Sequence, residues 1–325
     1  MRHRLGLTLP LDRPLAAHAG VIGALEAAGF TDLWTAETAG LDAFAPLAHA
    51  AALTSRARLG TGIANVFTRG PALLAMNAAA LAEAAPGRFV LGLGAASPAI
   101  VRAWNGLPFE RPLARVRDTV RFLRAALAGD RIDAQYETFA VRGFRLERPP
   151  GQPPPILLAA LRPRMLELAA GEADGALLNW LSAADVARAA AIVKRQPGRE
   201  LGVRILVCPS EDADTVRAAA RRLVAGYLTV PAYAEQQRWL GREAALATMW
   251  ERWNAGDRAG AAAAVSDDVV DALFVHGSPE RCAAAIADYV RHGADTPILK
   301  LLALDPSCDL LAGALEIAAA LDHAP

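Results

Sequence analysis

The sequence predicts an α/β protein built as a closed, parallel (β/α)8 TIM barrel. Short β-like runs alternate with longer helical ones along all 325 residues, giving eight strand candidates that are each followed by a helix. Several of these runs are continuously apolar, as expected of strands covered on both faces. Hydrophobic residues make up 54% of the chain, ample for a large core. A single barrel takes about 250 residues and grows by insertion, so the length leaves room for extra segments. An open doubly wound sheet is the structural alternative, but it gives no reason for an eighth strand near the carboxyl end.

The first strand is read at Leu5–Leu9, followed by an amphipathic helix from Asp12 to Ala28 that Gly29 stops. Asp32–Thr35 is the second strand, with a helix at 43–53, and Arg58–Ile63 is the third. Pro71, suited to a first helical position, opens an alanine-rich helix to Ala85. Arg88–Leu93 is the fourth strand, with its helix at 113–127. A hairpin of 135–139 and 141–146 and a proline-rich connector, Pro149–Pro155, come next. Ile156–Ala159 is the fifth strand, and Arg162 and Pro163 open a helix that ends near Gly171. Gly175–Leu178 is the sixth, with a helix at 183–195; Leu201–Val207 is the seventh, with a helix at 212–225. Residues 227–274 offer no strand candidate, only short helical stretches with Gly, Trp and Tyr. Ser278, Pro279 and Glu280 then start a helix ending at Gly293, because Ser caps, Pro fits the first turn and Glu complements the dipole. Pro297–Ala303 is the eighth strand and Leu310–Leu321 a closing helix. The reading is one domain, 1–325, with insertions at about 130–154 and 227–274.

With 34 basic and 34 acidic residues, the chain lacks the electrostatic footprint of a nucleic-acid or anionic-membrane binder. Cys208, Cys282 and Cys308 lie far apart without a CxxC pair, which argues against a disulfide framework or a structural zinc. The six histidines form no metal-binding pattern, and His18, His49 and His292 fall in helices. The apolar run after the basic start ends at Asp12 and Arg13, too short for a signal peptide. No long uncharged apolar stretch marks a membrane span. The expectation is a soluble, cytoplasmic protein that acts on a small molecule.

In a parallel barrel the chemistry sits where strands end and the next loops begin. After strand two stands Glu37, a carboxylate that can bind a polar cofactor edge, act as acid or base, or cap nearby loop amides. Strand three ends Gly60-Thr61-Gly62-Ile63-Ala64-Asn65; glycines there suggest a bulge, a bare kink, or close approach to a ligand. Strand four ends Gly92-Leu93-Gly94 and reaches Ser97. This imitates a dinucleotide fingerprint, but a serine replaces the third glycine and the unit is fourth in the chain. Glycines that let a planar ring approach the mouth suit it better. After strand five, Arg162 at a helix start can hold a phosphate or simply face solvent. After strand six, Asn179 offers donor and acceptor, and Trp180 can wall a ring or fill core. Lys300, inside strand eight, is open to a Schiff-base role, yet a packed stem with a solvated ammonium explains it without a partner lysine.

Together these stretches resemble the luciferase-like oxidoreductases. Leu33–Glu37 with Asp42–Phe44, Leu59–Asn65 and Gly87–Gly94 carry the first half of the likeness. Ile156–Met165, Ala173–Trp180, Tyr227–Tyr233 and Gly277–Glu280 extend it. The likeness is strongest to the branch dependent on the deazaflavin coenzyme F-420, and next to the FMN-dependent monooxygenases. It implies a usually dimeric barrel with the cofactor ring at its carboxyl-terminal mouth, backed by a bulge and a cis peptide at Gly62–Ile63. It implies that Glu37, Thr61, Gly62, Ile63, Ala64, Asn65, Gly92, Gly94 and Ser97 line the ring and its side chain. Ala160, Leu161, Asn179 and Trp180 then lie near the cofactor's phosphate end. Thr38 and Ser97 occupy the places where the sugar-phosphate dehydrogenases of that branch carry a His and a Glu, so sugar oxidation is not expected and Glu37 is the one catalytic candidate left. The resemblance therefore implies hydride transfer between a deazaflavin and an organic substrate. Its alternatives are an FMN monooxygenase fed by a separate flavin or deazaflavin reductase, and a barrel that binds the cofactor without turnover.

Overall fold

The computed structural model describes residues 4–9, 11 and 13–322. Eight strands form the barrel: β1 (Gly6–Thr8), β2 (Asp32–Thr35), β3 (Arg58–Thr61), β4 (Phe89–Gly94), β5 (Ile156–Ala159), β6 (Gly175–Leu178), β7 (Glu200–Cys208) and β8 (Thr296–Leu301). All neighbours are parallel, and β8 closes on β1, where Gly6 lies between Ile298 and Asp32. Helices cover the outer face, and their buried side chains join those of the strands in one continuous apolar layer. Among the described residues no helix is long and apolar enough to cross a membrane, and no group of three or more His, Cys, Asp or Glu could hold a metal ion.

Four elements differ from the sequence reading. The expected helix start at Asp12 lies outside the described residues; a short 3-10 turn, Leu15–Ala17, leads into the helix His18–Ala27. The hairpin strands are Ile132–Gln135 and Ala140–Phe144, so 136–139 is the turn and not a strand. Its aromatic residues mimic a strand because Tyr136 and Phe139 pack edge-on against Phe122. The Tyr136 amide meanwhile closes the turn on the Phe139 carbonyl at 2.8 Å. The third strand stops at Thr61 and resumes at Ala64–Asn65. Finally, Phe274–His276 is a strand at the end of the expected strandless stretch, too short to show a pattern.

That short strand has a structural consequence. Strand β7 is nine residues long, and only its first part, Glu200–Val203, pairs with β6. Its upper part outgrows β6, and Phe274–His276 takes the vacated edge beside Leu206–Cys208. The helices Pro231–Trp239, Glu243–Asn254, Arg258–Ala263 and Asp267–Leu273 precede it and build a second apolar core around Leu246, Met249, Val270 and Phe274. This core includes Leu206 and Trp180, so the insertion is joined to the mouth of the barrel.

The barrel interior is layered. At the amino-terminal end, Arg58 spans the opening, binding Asp32 on one side and both oxygens of Glu200 on the other at 2.7 and 2.5 Å. The Thr296 hydroxyl donates to Glu200 at 2.7 Å. Above this, Trp34, Val90, Leu157, Leu177 and Ile298 fill the centre, with Ile63 packed on them. The indole has room only because two neighbours lack side chains. A Cβ on Gly60 would stand 2.4 Å from the Trp34 ring, and one on Gly6 would stand 3.0 Å from its Nε1.

Two tests follow from this packing. Gly60→Ala forces the overpacked ring to move and is expected to destabilise by about 1–3 kcal/mol. Gly20→Ala, in a helix with nothing within 4 Å of the added carbon, is expected to stabilise by roughly 0.5–1 kcal/mol. Urea unfolding followed by circular dichroism measures both; equal effects would contradict the packing. The second test concerns the ion network. Burial pushes the Glu200 carboxyl up, but hydrogen bonds and charge from Arg58 hold it below the usual carboxylate value overall. Its stabilising contribution is therefore present above the unfolded carboxylate value and lost as pH falls through the folded one. Arg58→Met removes the guanidinium between Asp32 and Glu200, leaving Asp32 the longer Arg4 contact at 3.5 Å and Glu200 the Thr296 hydroxyl, at a cost of about 3–5 kcal/mol near neutral pH. Without Arg58 the burial of Glu200 favours protonation, so the penalty shrinks toward pH 4. The urea midpoints of wild type and variant, compared at pH 7 and pH 4, should therefore converge in acid.

Candidate active site

The mouth of the barrel is shaped first by the interruption in β3. Gly60 pairs with Val90 and Ala64 with Leu93, so four steps along one strand meet three along the other. The extra residue makes a bulge. Thr61 closes the gap: its hydroxyl donates to the Gly92 carbonyl at 2.7 Å and accepts from the Gly92 amide at 2.8 Å. That hydroxyl's one proton is committed to the backbone. The Gly62–Ile63 peptide is cis, where the resemblance places it.

The glycines of strand four have a packing reason. A Cβ on Gly92 would lie 1.8 Å from the Thr61 carbonyl oxygen. One on Gly94 would meet the Ile63 side chain at 2.9 Å and Ala159 at 3.1 Å. These glycines let β3 and β4 approach and let Ile63 lie over Gly94. The close contact is thus made by the protein's own side chain. Ile63 keeps part of its surface exposed on top of the interior apolar stack, forming a flat apolar ledge at the mouth.

Glu37 is held on both oxygens. One accepts from the Asn65 amide at 3.1 Å; the other accepts from Arg69 through Nε at 3.0 Å and Nη2 at 2.5 Å. The Arg69 guanidinium also lies over Phe44, 4.8 Å from the ring centroid. The carboxylate thus ties the loop after β2 to the bulge of β3. Asn65 itself turns its Oδ1 to the Phe67 amide at 2.9 Å, while its Nδ2 is buried with no partner. Ser97 weakly caps the short π-helical segment Ala99–Trp104 through the Ile100 amide, at 3.4 Å. Arg162 is half-exposed and 4.0 Å from Glu235, at the edge of the insertion. Ala160 is buried, its amide donating to the Leu177 carbonyl at 3.0 Å, and Leu161 is partly exposed beside it.

The segment after β6 is clamped from outside. Gln236 donates to the Asn179 carbonyl at 2.9 Å, Gln237 to the Trp180 carbonyl at 2.8 Å, and Tyr289 to the Leu181 carbonyl at 3.1 Å. Trp180 has a φ of 57°, a backbone region a bulky residue seldom enters, and these bonds hold it there. Its indole stacks on Tyr227 at 4.8 Å and meets Tyr233 and Phe274 edge-on. The insertion therefore supplies an aromatic wall on the β6–β7 side of the mouth. Gln236, Gln237, Tyr289 and Arg204 escaped the sequence reading. The two glutamines and Tyr289 sit in ordinary amphipathic helices with no local signal. Arg204 did leave one, a charge inside an apolar strand.

Eight buried side-chain polar atoms lack any hydrogen-bond partner among the described residues: Thr8 Oγ1, His18 Nδ1, Trp34 Nε1, His49 Nε2, Asn65 Nδ2, Asn179 Oδ1, Arg204 Nε and Gln236 Oε1. The two histidines belong to the outer helices. The other six stand on barrel strands, on the segments that follow them, or on the helix packed over the mouth. Unmet polar groups are rare in folded proteins and call for an explanation. Of these, Asn65 Nδ2 and Asn179 Oδ1 stand on the segments after β3 and β6, a donor and an acceptor at the mouth, and such a pair suits a planar heterocycle with both carbonyl and N–H edges, the chemistry of a flavin or deazaflavin ring.

A parallel barrel with such a mouth defines a class of redox enzymes that position a ring cofactor at the ends of the strands. The chain belongs to the luciferase-like monooxygenase family, whose description matches residues 2–296, and it is an oxidoreductase of that family. It is 29% identical over 280 residues to a 5,10-methylenetetrahydromethanopterin reductase of Methanolobus tindarius, covering 82% of this chain and 85% of that one. It is 35% identical over 193 residues, 55% of this chain and 54% of the other, to a Mycobacterium tuberculosis protein named for coenzyme F-420-dependent oxidoreduction. Among solved structures, the coenzyme F-420-dependent tetrahydromethanopterin reductase of Methanopyrus kandleri superposes with a TM-score of 0.80 at 22% identity, covering 98% of each chain.

The clamp on the β6 loop gives a test. Gln237→Leu leaves the buried Trp180 carbonyl unmet and is expected to cost about 1–3 kcal/mol. Hydrogen exchange across 176–182 should accelerate in the variant while the strands on the far side of the barrel keep their protection. Unchanged exchange in that segment would remove Gln237 from the clamp.

Proposed function

We propose that this protein transfers a hydride between a deazaflavin coenzyme bound at the barrel mouth and an organic substrate. The observation that carries the reading is the partly exposed Ile63 lying over Gly94 at the carboxyl ends of the strands, with the unmet Asn65 Nδ2 after β3 and the unmet Asn179 Oδ1 after β6. When bound, such a coenzyme supplies a ring carbon that gives or takes the hydride. The chain's residues bind, orient and desolvate it. Ile63 and Ala64 back the ring, the Asn65 amide group donates to its edge, and Gly94 leaves the ledge low enough to be covered. Ala160, Leu161, Asn179 and Trp180 stand where its polar side chain would leave the mouth. Glu37 serves as an anchor for the bulge, since both oxygens are already engaged. The name of the mycobacterial relative supports the deazaflavin.

The second reading is an FMN-dependent monooxygenase supplied with reduced flavin by a partner reductase. It is favoured by the family's own name and by the FMN-bound oxygenating constituent of 3,6-diketocamphane monooxygenase from Pseudomonas putida. That structure shares the fold, with a TM-score of 0.68 at 16% identity over 99% of this chain and 98% of that one. Fluorescence titration of the purified protein with each cofactor separates the two. Coenzyme F-420 is expected to bind at least tenfold more tightly than FMN; the opposite order would favour the monooxygenase.

A further inference from the structure

One polar group on the barrel strands is not used by the cofactor reading. Arg204 stands in the middle of β7, between Val203 and Ile205. The strand's alternation fixes its direction. A Cβ on Gly202 would touch Leu177 at 2.7 Å and Ile298 at 3.4 Å, both members of the interior stack. Arg204, two residues on, therefore points into the barrel one layer nearer the mouth. No carboxylate among the described residues pairs with it, and its Nε is buried without an acceptor. The groups facing it are the phenols of Tyr233 and Tyr227. Tyr233 also lies beside Asn179, whose Oδ1 makes no well-formed hydrogen bond.

A guanidinium whose Nε is buried and which has no counter-ion is costly, and it stays charged because arginine does not give up its proton in proteins. Three other arginines of the interior and the mouth are matched by carboxylates: Arg58 with Asp32 and Glu200, Arg242 with Asp185, Arg69 with Glu37. The neighbouring strand adds a second cation. Arg204 lies opposite Ile298 and Leu206 opposite Lys300, so Lys300 points the same way, one pleat higher. The position is also informative. In an eight-stranded barrel, strands four apart are opposite, so Arg204 on β7 faces the Ile63 ledge after β3. A ring lying on that ledge turns its free face toward Arg204.

We propose that Arg204, supported by Lys300 and Tyr233, is the binding site for an anionic oxygen pair, a carboxylate or a phosphate, on the molecule that occupies the mouth. The planar fork of the guanidinium matches two such oxygens at once. This deepens the hydride-transfer reading by assigning a charged group to the ligand, and the place opposite the ledge assigns it to the substrate. The same chemistry could be offered by the acidic groups of the coenzyme, so the test carries separate arms.

The experiment uses the full chain without cofactor, and titrates it with benzoate and with inorganic phosphate at constant ionic strength, read by calorimetry and by thermal shift. Wild type is expected to bind at least one of them saturably. Arg204→Met should weaken that binding at least tenfold, and Arg204→Lys should fall between the two. Arg204→Met should keep or raise the melting temperature, since it removes an unpaired buried charge. No saturable binding to wild type, or equal binding by Arg204→Met, overturns the proposal. Coenzyme F-420 titration of the same proteins then identifies the source. Unchanged coenzyme affinity in Arg204→Met places the anion on the substrate, and a tenfold loss places it on the coenzyme. Anion binding through Arg204 in a protein that binds no deazaflavin would leave this site standing and remove the cofactor reading alone.

Discussion

The indole of Trp34 is the piece around which the barrel is arranged. An eight-stranded barrel encloses a space that side chains must fill, and here one large ring does much of the filling. The strands facing it must then give up side chains, which explains Gly6 and Gly60 without reference to any ligand. Below the ring, Arg58 lies 5.7 Å from its centroid and ties β2, β3 and β7 together through Asp32 and Glu200. Above it, Val90, Leu157, Leu177 and Ile298 bring the fill up to the level of Ile63. The closed lower end and the apolar ledge at the upper end are two results of one packing solution. The rigid floor is what allows the mouth to hold unmet polar groups at fixed positions.

The mouth is asymmetric, and the asymmetry comes from strand lengths. On the β3 side the chain makes a bulge, fixed by Thr61 to Gly92 and by Glu37 to Asn65. On the β7 side the strand outgrows its neighbour, and the insertion enters through the gap with Phe274–His276. The insertion then returns hydrogen bonds to the loop after β6 through Gln236 and Gln237. One wall is therefore a backbone feature of the barrel itself. The other is an aromatic and cationic surface assembled from Trp180, Tyr227, Tyr233 and Arg204.

The barrel was legible because its strands are short apolar runs punctuated by glycine and proline, and because each is followed by a helix with a recognisable start. Ser278 is an example: its hydroxyl accepts from the Arg281 amide, as its place before Pro279 implies. What escaped the sequence did so for identifiable reasons. Tyr136 and Phe139 look like strand residues, yet their apolar character serves packing on Phe122 from within a turn. Phe274–His276 is too short to carry a period. The glycines after strands three and four were visible as special, but the choice between ligand approach and self-packing needed the position of Trp34, Thr61 and Ile63. Lys300 was noticed as a charge inside a strand; Arg204 carries the same signal and is set in a still more apolar context.

The division of labour at the site follows from which groups are satisfied and which are not. A residue that moves protons must have a lone pair or a proton free to exchange, within reach of the reacting atom. Glu37 accepts from Asn65 and Arg69 on its two oxygens, which fits it to anchoring the bulge. Thr61 is fully buried and gives its one proton to the Gly92 carbonyl. Thr38 and Ser97 bring only neutral hydroxyls. The groups left unmet near the mouth are the side-chain amides of Asn65, Asn179 and Gln236 and the guanidinium of Arg204. They orient and bind, and they fit a reaction whose bond changes are carried by a bound ring cofactor. Catalysis in such a site rests on placing two reactants face to face in a dry cavity, which is a matter of geometry and desolvation more than of proton transfer.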